Sequence, residues 1–312
     1  MMNTSGKGFG KMFEKYGVLI NEPMSAHTTL KLGGPADYLV FPRNAEEITA
    51  LFTEAGARNL PVTVIGHGSN LLVLDGGIRG LVISISRNMR RITREGHVIT
   101  AQAGAMLGSV AMEAAEAGLT GLEFASGIPG TVGGGVTMNA GAYGGEMAQT
   151  VIRVRAMYPD GTTVELDRGQ MDFGYRHSIV MEKNLIVTEA QFELQEGDPA
   201  EIRTKMADLN ARRAEKQPLD VPSAGSTFKR PDGYYAAALI DQCGLKGYSV
   251  GGARVSMKHA GFLVNTGTSS SDFLELMQKV QQIVEERAGV KLEPEIRIIG
   301  EMLPAKTKES ST

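Results

Sequence analysis

The stretch from Gly127 to Gly145 carries eight glycines among nineteen residues. Glycine lets a backbone turn sharply or approach another surface closely, and it weakens any helix or strand that holds it. A flexible linker of this glycine content would be rich in serine; here Ile128, Val132, Val136 and Met138 fill the gaps instead. A backbone of this kind presses against something. A flat aromatic cofactor and a neighbouring strand both meet that requirement, and the stretch alone leaves both open. Glycine across the chain, 39 of 312 residues against a usual share of roughly 7%, reads the same two ways: a turn-rich α+β protein, or loops that wrap a phosphorylated cofactor.

A second glycine loop, Gly66, His67, Gly68, Ser69 and Asn70, leads into Leu71 directly after a strand pattern over residues 61–65. Glycines beside Ser and Asn expose several main-chain N–H groups, and such a nest suits a pyrophosphate. It differs from the dinucleotide fingerprint that opens a helix, because residues 71–74 read as a strand. A tight turn is the alternative. His67 reads as a turn residue at the surface, with metal binding and covalent cofactor attachment as the sharper roles for a histidine there.

Periodicity divides the chain into units. Residues 44–57 predict a helix, capped by Asn44, with Glu46 and Glu47 in the first turn and Ile48, Leu51, Phe52 and Ala55 on one face. Strands are expected at 61–65, 71–74, 81–85 and 98–103, and a helix over 105–118. Alternation over 150–158, 162–166 and 184–194 predicts further strands, with Asp160 and Gly161 as a hairpin turn. Residues 199–215 have helical spacing, Ile202, Met206 and Leu209 sharing a face. Pro218 and Pro222 then mark a linker. Beyond it come a helix near 235–242, strands near 250–256 and 261–265, and an amphipathic helix from Asp272 to Arg287, capped by Ser271 and stopped by Gly289. Phe273, Met277, Val280 and Val284 line its face.

Net charge is −3 with scattered Lys and Arg, which excludes a broad nucleic-acid-binding surface. The single cysteine, Cys243, allows no internal disulfide and no cysteine-based metal centre; no metal site is expected. Residues 1–17 carry Lys7, Lys11, Glu14 and Lys15 and do not read as a signal peptide. The polar run 306–312 reads as a disordered tail. No run of about 18 apolar residues occurs, so no membrane insertion is expected. A cytoplasmic location follows as the expectation.

Several segments resemble, in order and spacing, the family of UDP-N-acetylenolpyruvoylglucosamine reductases. They are Thr28 to Ala36, the two glycine loops, Tyr175 to Ser178, Ala224 to Pro231, Leu239 to Gly247, His259 to Asn265 and Leu292 to Gly300. The resemblance runs from about Ser25 to Gly300. It implies an α+β fold: an FAD-binding domain of the vanillyl-alcohol-type flavoprotein kind over 18–196, in two α/β subdomains (18–78 and 79–196), and a C-terminal α+β substrate-binding domain over 197–304 whose last strand returns to the FAD domain. Residues 1–17 and 305–312 are tails. The implied activity reduces UDP-N-acetylglucosamine enolpyruvate to UDP-N-acetylmuramate for cell-wall synthesis. Hydride passes from NADPH to non-covalent FAD and on to the enolpyruvyl carbon.

By the same resemblance Gly66, His67, Gly68, Ser69, Asn70 and Leu71 hold the FAD pyrophosphate. Gly127, Pro129, Gly130, Thr131, Gly133, Gly134, Asn139, Gly141 and Ala142 run along pyrophosphate and ring. Ser226 is the implied proton donor, Arg176 the implied carboxylate clamp, and Glu295 the implied carboxyl group of Glu293-Pro294-Glu295. Lys216, Lys229, Arg230 and Lys246 are candidates for the UDP diphosphate, with Tyr175 and His259 also on the substrate side; a solvated charge is the alternative for each lysine and arginine. Longer members carry a tyrosine-bearing segment over the substrate. The interval from Arg176 to Lys216 leaves no room for it, so this chain resembles the shorter type. Two other classes stay open: an FAD-dependent sugar or alcohol oxidase on the same scaffold, with His67 as the attachment point, and a non-catalytic sugar-nucleotide binder. No protein partner is implied.

Overall fold

Two apolar cores with no residue in common organise the chain. The structure, a computed structural model, describes residues 13–303; the polar run 306–312 and most of the N-terminal tail lie outside them. One compact unit comprises residues up to Ile20, Tyr38–Ser69 and Gly80–Gln217, and the other Asn21–Asp37, Asn70–Arg79 and the chain from Pro218 onward. The linker expected at Pro218 coincides with the start of the last segment of the second unit. The units are discontinuous, however. The helix after residue 197 belongs with the first unit, and residues 21–37 and 70–79 belong with the second, unlike the single break near residue 196 expected from the sequence.

The first unit holds a five-stranded antiparallel sheet in the order Thr163–Asp167, Val151–Met157, Ile186–Glu193, Val98–Gln102, Ile92–Glu95. Its inner face is the alternating set expected from the sequence, with Val151, Val154, Ala156, Ile99, Ala101, Ala190 and Phe192 buried. The turn at Asp160 and Gly161 closes as expected: Tyr158 N donates to Thr162 O at 2.9 Å and Thr162 N to Asp160 Oδ1 at 2.8 Å. Helices of this unit within residues 45–217 are α1 (Ala45–Gly56), α2 (Leu107–Glu116), α3 (Val132–Thr137), α4 (Ile179–Glu182) and α5 (Pro199–Lys216). Asn44 caps α1 by accepting from Glu47 N at 2.9 Å. Asp198 caps α5 ahead of Pro199, where a missing N–H costs nothing. Strand Val62–Ile65 follows α1 and runs parallel to residues 81–84.

The second unit is built around a three-stranded antiparallel sheet, Ser249–Val250, Ala253–Val255 and Leu263–Asn265, with helices α6 (Ala236–Gln242) and α7 (Ser270–Ala288). Phe273, Leu276, Met277, Val280 and Val284 of α7 are fully buried with Leu30, Leu72 and Leu292, which accounts for the stripe seen in the sequence. Strand Arg297–Ile299 pairs in parallel with Leu71–Val73. The sequence placed that partner in the FAD domain; it lies in the second unit.

The start of α7 differs from expectation. Ser269, not Ser271, is the capping residue, accepting from Asp272 N at 3.3 Å. Asp75 reaches the same helix end from far away in sequence. Its carboxylate accepts from Ser270 N at 2.7 Å, Ser271 N at 3.1 Å and Ser271 Oγ at 2.9 Å. Burial works to raise the Asp75 pKa, but these bonds outweigh it and hold the group below the ordinary carboxylate value. The ionised form therefore stabilises the fold above the unfolded-state value, about 3.9, and that stabilisation is lost as pH falls through the lower folded-state value. We expect Asp75→Asn to lose about 1–2 kcal/mol at pH 7, from the cap and the helix dipole together. The gap to wild type should close at strongly acidic pH; urea unfolding at pH 7 and below pH 3 measures both.

Candidate active site

In the first unit the two glycine loops meet. A β-carbon on Gly66 would stand 2.6 Å from Thr131 Oγ1, and one on Gly130 would stand 3.7 Å from Ser69 Oγ. Only a residue without a side chain permits the first approach. Thr131 caps α3, accepting from Gly134 N at 3.4 Å. Val132 N and Gly133 N donate to Ala105 O and Ala103 O, both at 2.8 Å, and Leu107 N donates to Gly130 O at 2.9 Å. These bonds fix the loop on the rim of the large sheet.

The glycines divide by task. A β-carbon on Gly133 would lie 3.0 Å from Ala103 Cβ, and one on Gly135 would lie 2.9 Å from Leu107 Cδ1. Both serve close packing, the second of the two readings of this stretch. Gly134 and Pro129 are exposed, and Gly66, Ser69 and Gly127 are half-buried. The main-chain N–H groups of Gly68 and Ser69 donate to no group among the described residues. A cradle with free donors, which a side chain on Gly66 would fill, fits a phosphate-bearing cofactor. His67 is exposed beside it.

Arg176 sits in a tight turn that the second loop holds. Gly174 N donates to His177 O at 3.1 Å and His177 N to Gly174 O at 3.2 Å. Asn139 Nδ2 donates to Gly174 O at 2.9 Å, while its Oδ1 accepts from Ala148 N at 2.9 Å; Ser178 Oγ donates to Thr137 O at 2.6 Å. Asn139, a cofactor-binding candidate, is buried and also holds the arginine turn. Arg176 has φ of 56°, a left-handed conformation that costs a non-glycine residue about 1–2 kcal/mol. Its guanidinium lies 5.1 Å from the ring centre of the exposed Tyr175. Gly141 and Ala142 form a short strand paired with Gly145 and Glu146.

The segments that carry Ser226 and Glu295 pair in the second unit. Glu295 N donates to Thr227 O at 2.8 Å and Lys229 N to Glu293 O at 2.8 Å, so the two segments lie antiparallel. Thr227 anchors the pair: its N donates to Gly261 O at 2.9 Å and its Oγ1 accepts from Leu263 N at 3.1 Å. Asn70 joins them, donating from Nδ2 to Glu295 O at 3.1 Å. The Ser226 hydroxyl makes no hydrogen bond to any described residue.

The candidate substrate cations of this unit have protein partners. Lys229 lies 3.5 Å from Glu293, Lys246 lies 2.7 Å from Asp241, and the Arg230 guanidinium lies 4.8 Å from the Tyr235 ring centre. His259 Nδ1 accepts from Gly261 N at 3.2 Å. Burial pushes its pKa down, with the Lys246 charge adding to the effect against a main-chain hydrogen bond. With Nδ1 accepting, the neutral ring would carry its proton on Nε2. Lys216 is exposed at the end of α5, in the first unit. The sequence reading missed Thr227, whose signal was a hydroxyl residue directly after the candidate acid.

Residues 36–167 match the FAD-binding domain family. Joined to the apposed glycine loops, that match defines an FAD-dependent oxidoreductase. Residues 217–299 match the C-terminal domain of UDP-N-acetylenolpyruvoylglucosamine reductase. The protein of that name from Agathobacter rectalis is 51% identical, over 96% of this chain and 100% of its own length. The one from Caldanaerobacter subterraneus is 50% identical over 90% and 93%. The crystal structure of the Thermus caldophilus reductase superposes with a TM-score of 0.77 at 37% identity, covering 90% of this chain and 97% of the other. The chain belongs to the UDP-N-acetylenolpyruvoylglucosamine reductase family. The α+β class, and the pairing of an FAD-binding domain with this C-terminal domain, are as the sequence led us to expect. No helix among the described residues is long and apolar enough to cross a membrane.

Proposed function

We propose that this protein reduces the enolpyruvyl group of UDP-N-acetylglucosamine enolpyruvate, giving UDP-N-acetylmuramate, with NADPH as the electron source and in the cytoplasm. The observation that supports this reading is the antiparallel main-chain pairing of Thr227–Lys229 with Glu293–Glu295, which makes Ser226 and Glu295 neighbours along one paired segment, in a chain of this family. Bound FAD supplies hydride transfer, from NADPH to the terminal carbon of the enol ether.

Negative charge then builds on the other carbon and on its carboxylate. Arg176 binds that carboxylate; a guanidinium stays charged and can present two N–H donors to it. One fixed donor of this kind contributes roughly 3–4 kcal/mol in the transition state. Ser226 gives its proton to the charged carbon. A serine hydroxyl is a weak acid, but an enolate is a strong base, so position decides the rate. The hydroxyl is held ready by its segment and not engaged elsewhere. Glu295 orders the carboxylate end or the water that reprotonates Ser226. Lys216, Lys229, Arg230 and Lys246 serve the UDP diphosphate; the partners of the last three are exchangeable, exposed ones of little net value. Gly66 to Ser69, with Gly127 to Thr131, hold FAD through main-chain N–H groups.

Two spectra test the reading. The purified protein is expected to be yellow, to bleach with NADPH, and to regain its colour when the enolpyruvyl sugar nucleotide is added. Acid precipitation is expected to leave the flavin in the supernatant. Colour that stays on the precipitated chain assigns His67 the attachment role and the protein to the oxidases; a protein that takes up no FAD overturns the reading altogether.

A further inference from the structure

Three metal-ligating side chains converge in the segment that presents Arg176. Asp172, His177 and Glu182 each offer one ligand atom, and these atoms all lie within 4.8 Å of one another. His177 Nε2 stands 3.6 Å from Asp172 Oδ2 and 3.3 Å from Glu182 Oε1. Both separations exceed the roughly 2.7–3.2 Å of an N–H···O hydrogen bond. Two ligands bonded tetrahedrally to one zinc ion, at about 2.1 Å each, stand about 3.4 Å apart. Two other histidine–carboxylate pairs of the chain behave differently. His27 and Glu22 close to 2.8 Å and His97 and Glu196 to 3.0 Å, ordinary hydrogen-bond lengths with one carboxylate each. His177 instead faces two carboxylates at the spacing of co-ligands. Main-chain bonds hold the donors in place. Ile179 N donates to Met171 O at 2.8 Å, closing the segment at its neck, and Gly174 and His177 bond each other within it. Met171 and Ser178, the neighbours of Asp172 and His177, are fully buried. Asp172 and Glu182 are exposed and His177 is half-buried, so an ion has an open path in.

We propose that Asp172, His177 and Glu182 form a binding site for a divalent transition-metal ion of the zinc class. Two carboxylates and a neutral imidazole carry the charge that balances a dication. The imidazole selects zinc, nickel or cobalt over magnesium and calcium, which take oxygen ligands. Three protein ligands leave a fourth position to water. The ion ties residues 172, 177 and 182 together across the loop that holds Arg176, so its presence braces the backbone from which that guanidinium projects. The single cysteine argued against a cysteine-based metal centre; donors of this kind lie outside that argument. The site rests on the three side chains and their spacing, independently of the flavin and substrate readings. The alternative is a protonated His177 paired with the two carboxylates and no metal held.

Equilibrium dialysis of the full-length protein, as purified and stripped of metal with a chelator, against zinc chloride tests it. Wild type is expected to bind one zinc ion per chain with micromolar Kd. Loss of a mere outer partner of a metal ligand costs 10- to 100-fold in affinity, so loss of a ligand itself is expected to cost about 100-fold or more. Glu182→Gln and Asp172→Asn keep the shape and remove one ligand charge each; His177→Gln removes the imidazole. Glu182 is exposed at the end of α4, so its variant keeps the fold whatever His177→Gln does. His97→Gln is the control and is expected to bind as wild type does. Thermal unfolding gives the second reading: zinc at about a hundredfold excess over Kd is expected to raise the wild-type Tm by roughly 5 °C and to leave that of Glu182→Gln within a degree. Failure of wild type to bind zinc below roughly 1 mM overturns the proposal in favour of the ion pair. Binding that survives in Glu182→Gln and His177→Gln, or that is lost in His97→Gln, overturns it in favour of another site.

Discussion

Ser226→Ala is expected to leave bleaching of the flavin by NADPH at its wild-type rate and to slow the return of colour with the enolpyruvyl substrate by about 100- to 10,000-fold, the range of a lost general acid. In the proposed mechanism the hydroxyl acts only after hydride transfer, which separates the two rates. Its segment is fixed independently of its own side chain: Thr227 and Lys229 carry the main-chain bonds to Gly261 and Glu293. Removing one oxygen from Ser226 therefore leaves Glu295 in place. Stopped-flow absorbance with each substrate in turn reads the two rates separately. Equal slowing of both would show damage to flavin binding, and a normal second rate would remove Ser226 from the chemistry.

Gly77→Ala is expected to destabilise the second unit severely. Gly77 has φ of 82°, and a β-carbon there would stand 1.9 Å from Pro35 O. The obstacle is main chain, which cannot rotate away. Gly77 also donates to Leu74 O at 2.9 Å and accepts from Glu301 N at 2.9 Å, so it joins three distant segments. Left-handed strain and overpacking together cost roughly 2–5 kcal/mol, a large share of the roughly 5–15 kcal/mol that holds most domains together. Gly96→Ala is the matched control. Its φ is 56° with nothing within 4 Å of the added carbon, so only the backbone strain of about 1–2 kcal/mol should appear. Urea midpoints of the two variants against wild type decide the matter; equal shifts would mean that the contact with Pro35 relaxes freely.

Local chemistry in this chain was legible from the sequence. Asn44 caps the helix it precedes, the stripe on α7 is buried, and the Asp160–Gly161 turn closes, because each depends on residues a few positions apart. What escaped depends on partners far along the chain. Asp75 reaches α7 across 195 positions, and no window on the sequence contains both. Gly133 packs against Ala103 and Gly135 against Leu107, and Asn139 holds Gly174, in the turn of Arg176, from 35 positions away. The neighbourhood of Ser226 and Glu295 was available only through the resemblance: their pairing is a long-range main-chain contact with no local signature.

The chain changes core five times, at residues 20, 37, 69, 79 and 217. Leu30, Leu32, Leu72 and Leu74, which pack with Phe228 and Leu292, are supplied by excursions made long before the C-terminal portion begins. A gene fragment starting at Pro218 would encode a protein lacking part of its own interior. Recombination could not trade this half as a cassette, and the two halves are bound to share one evolutionary history.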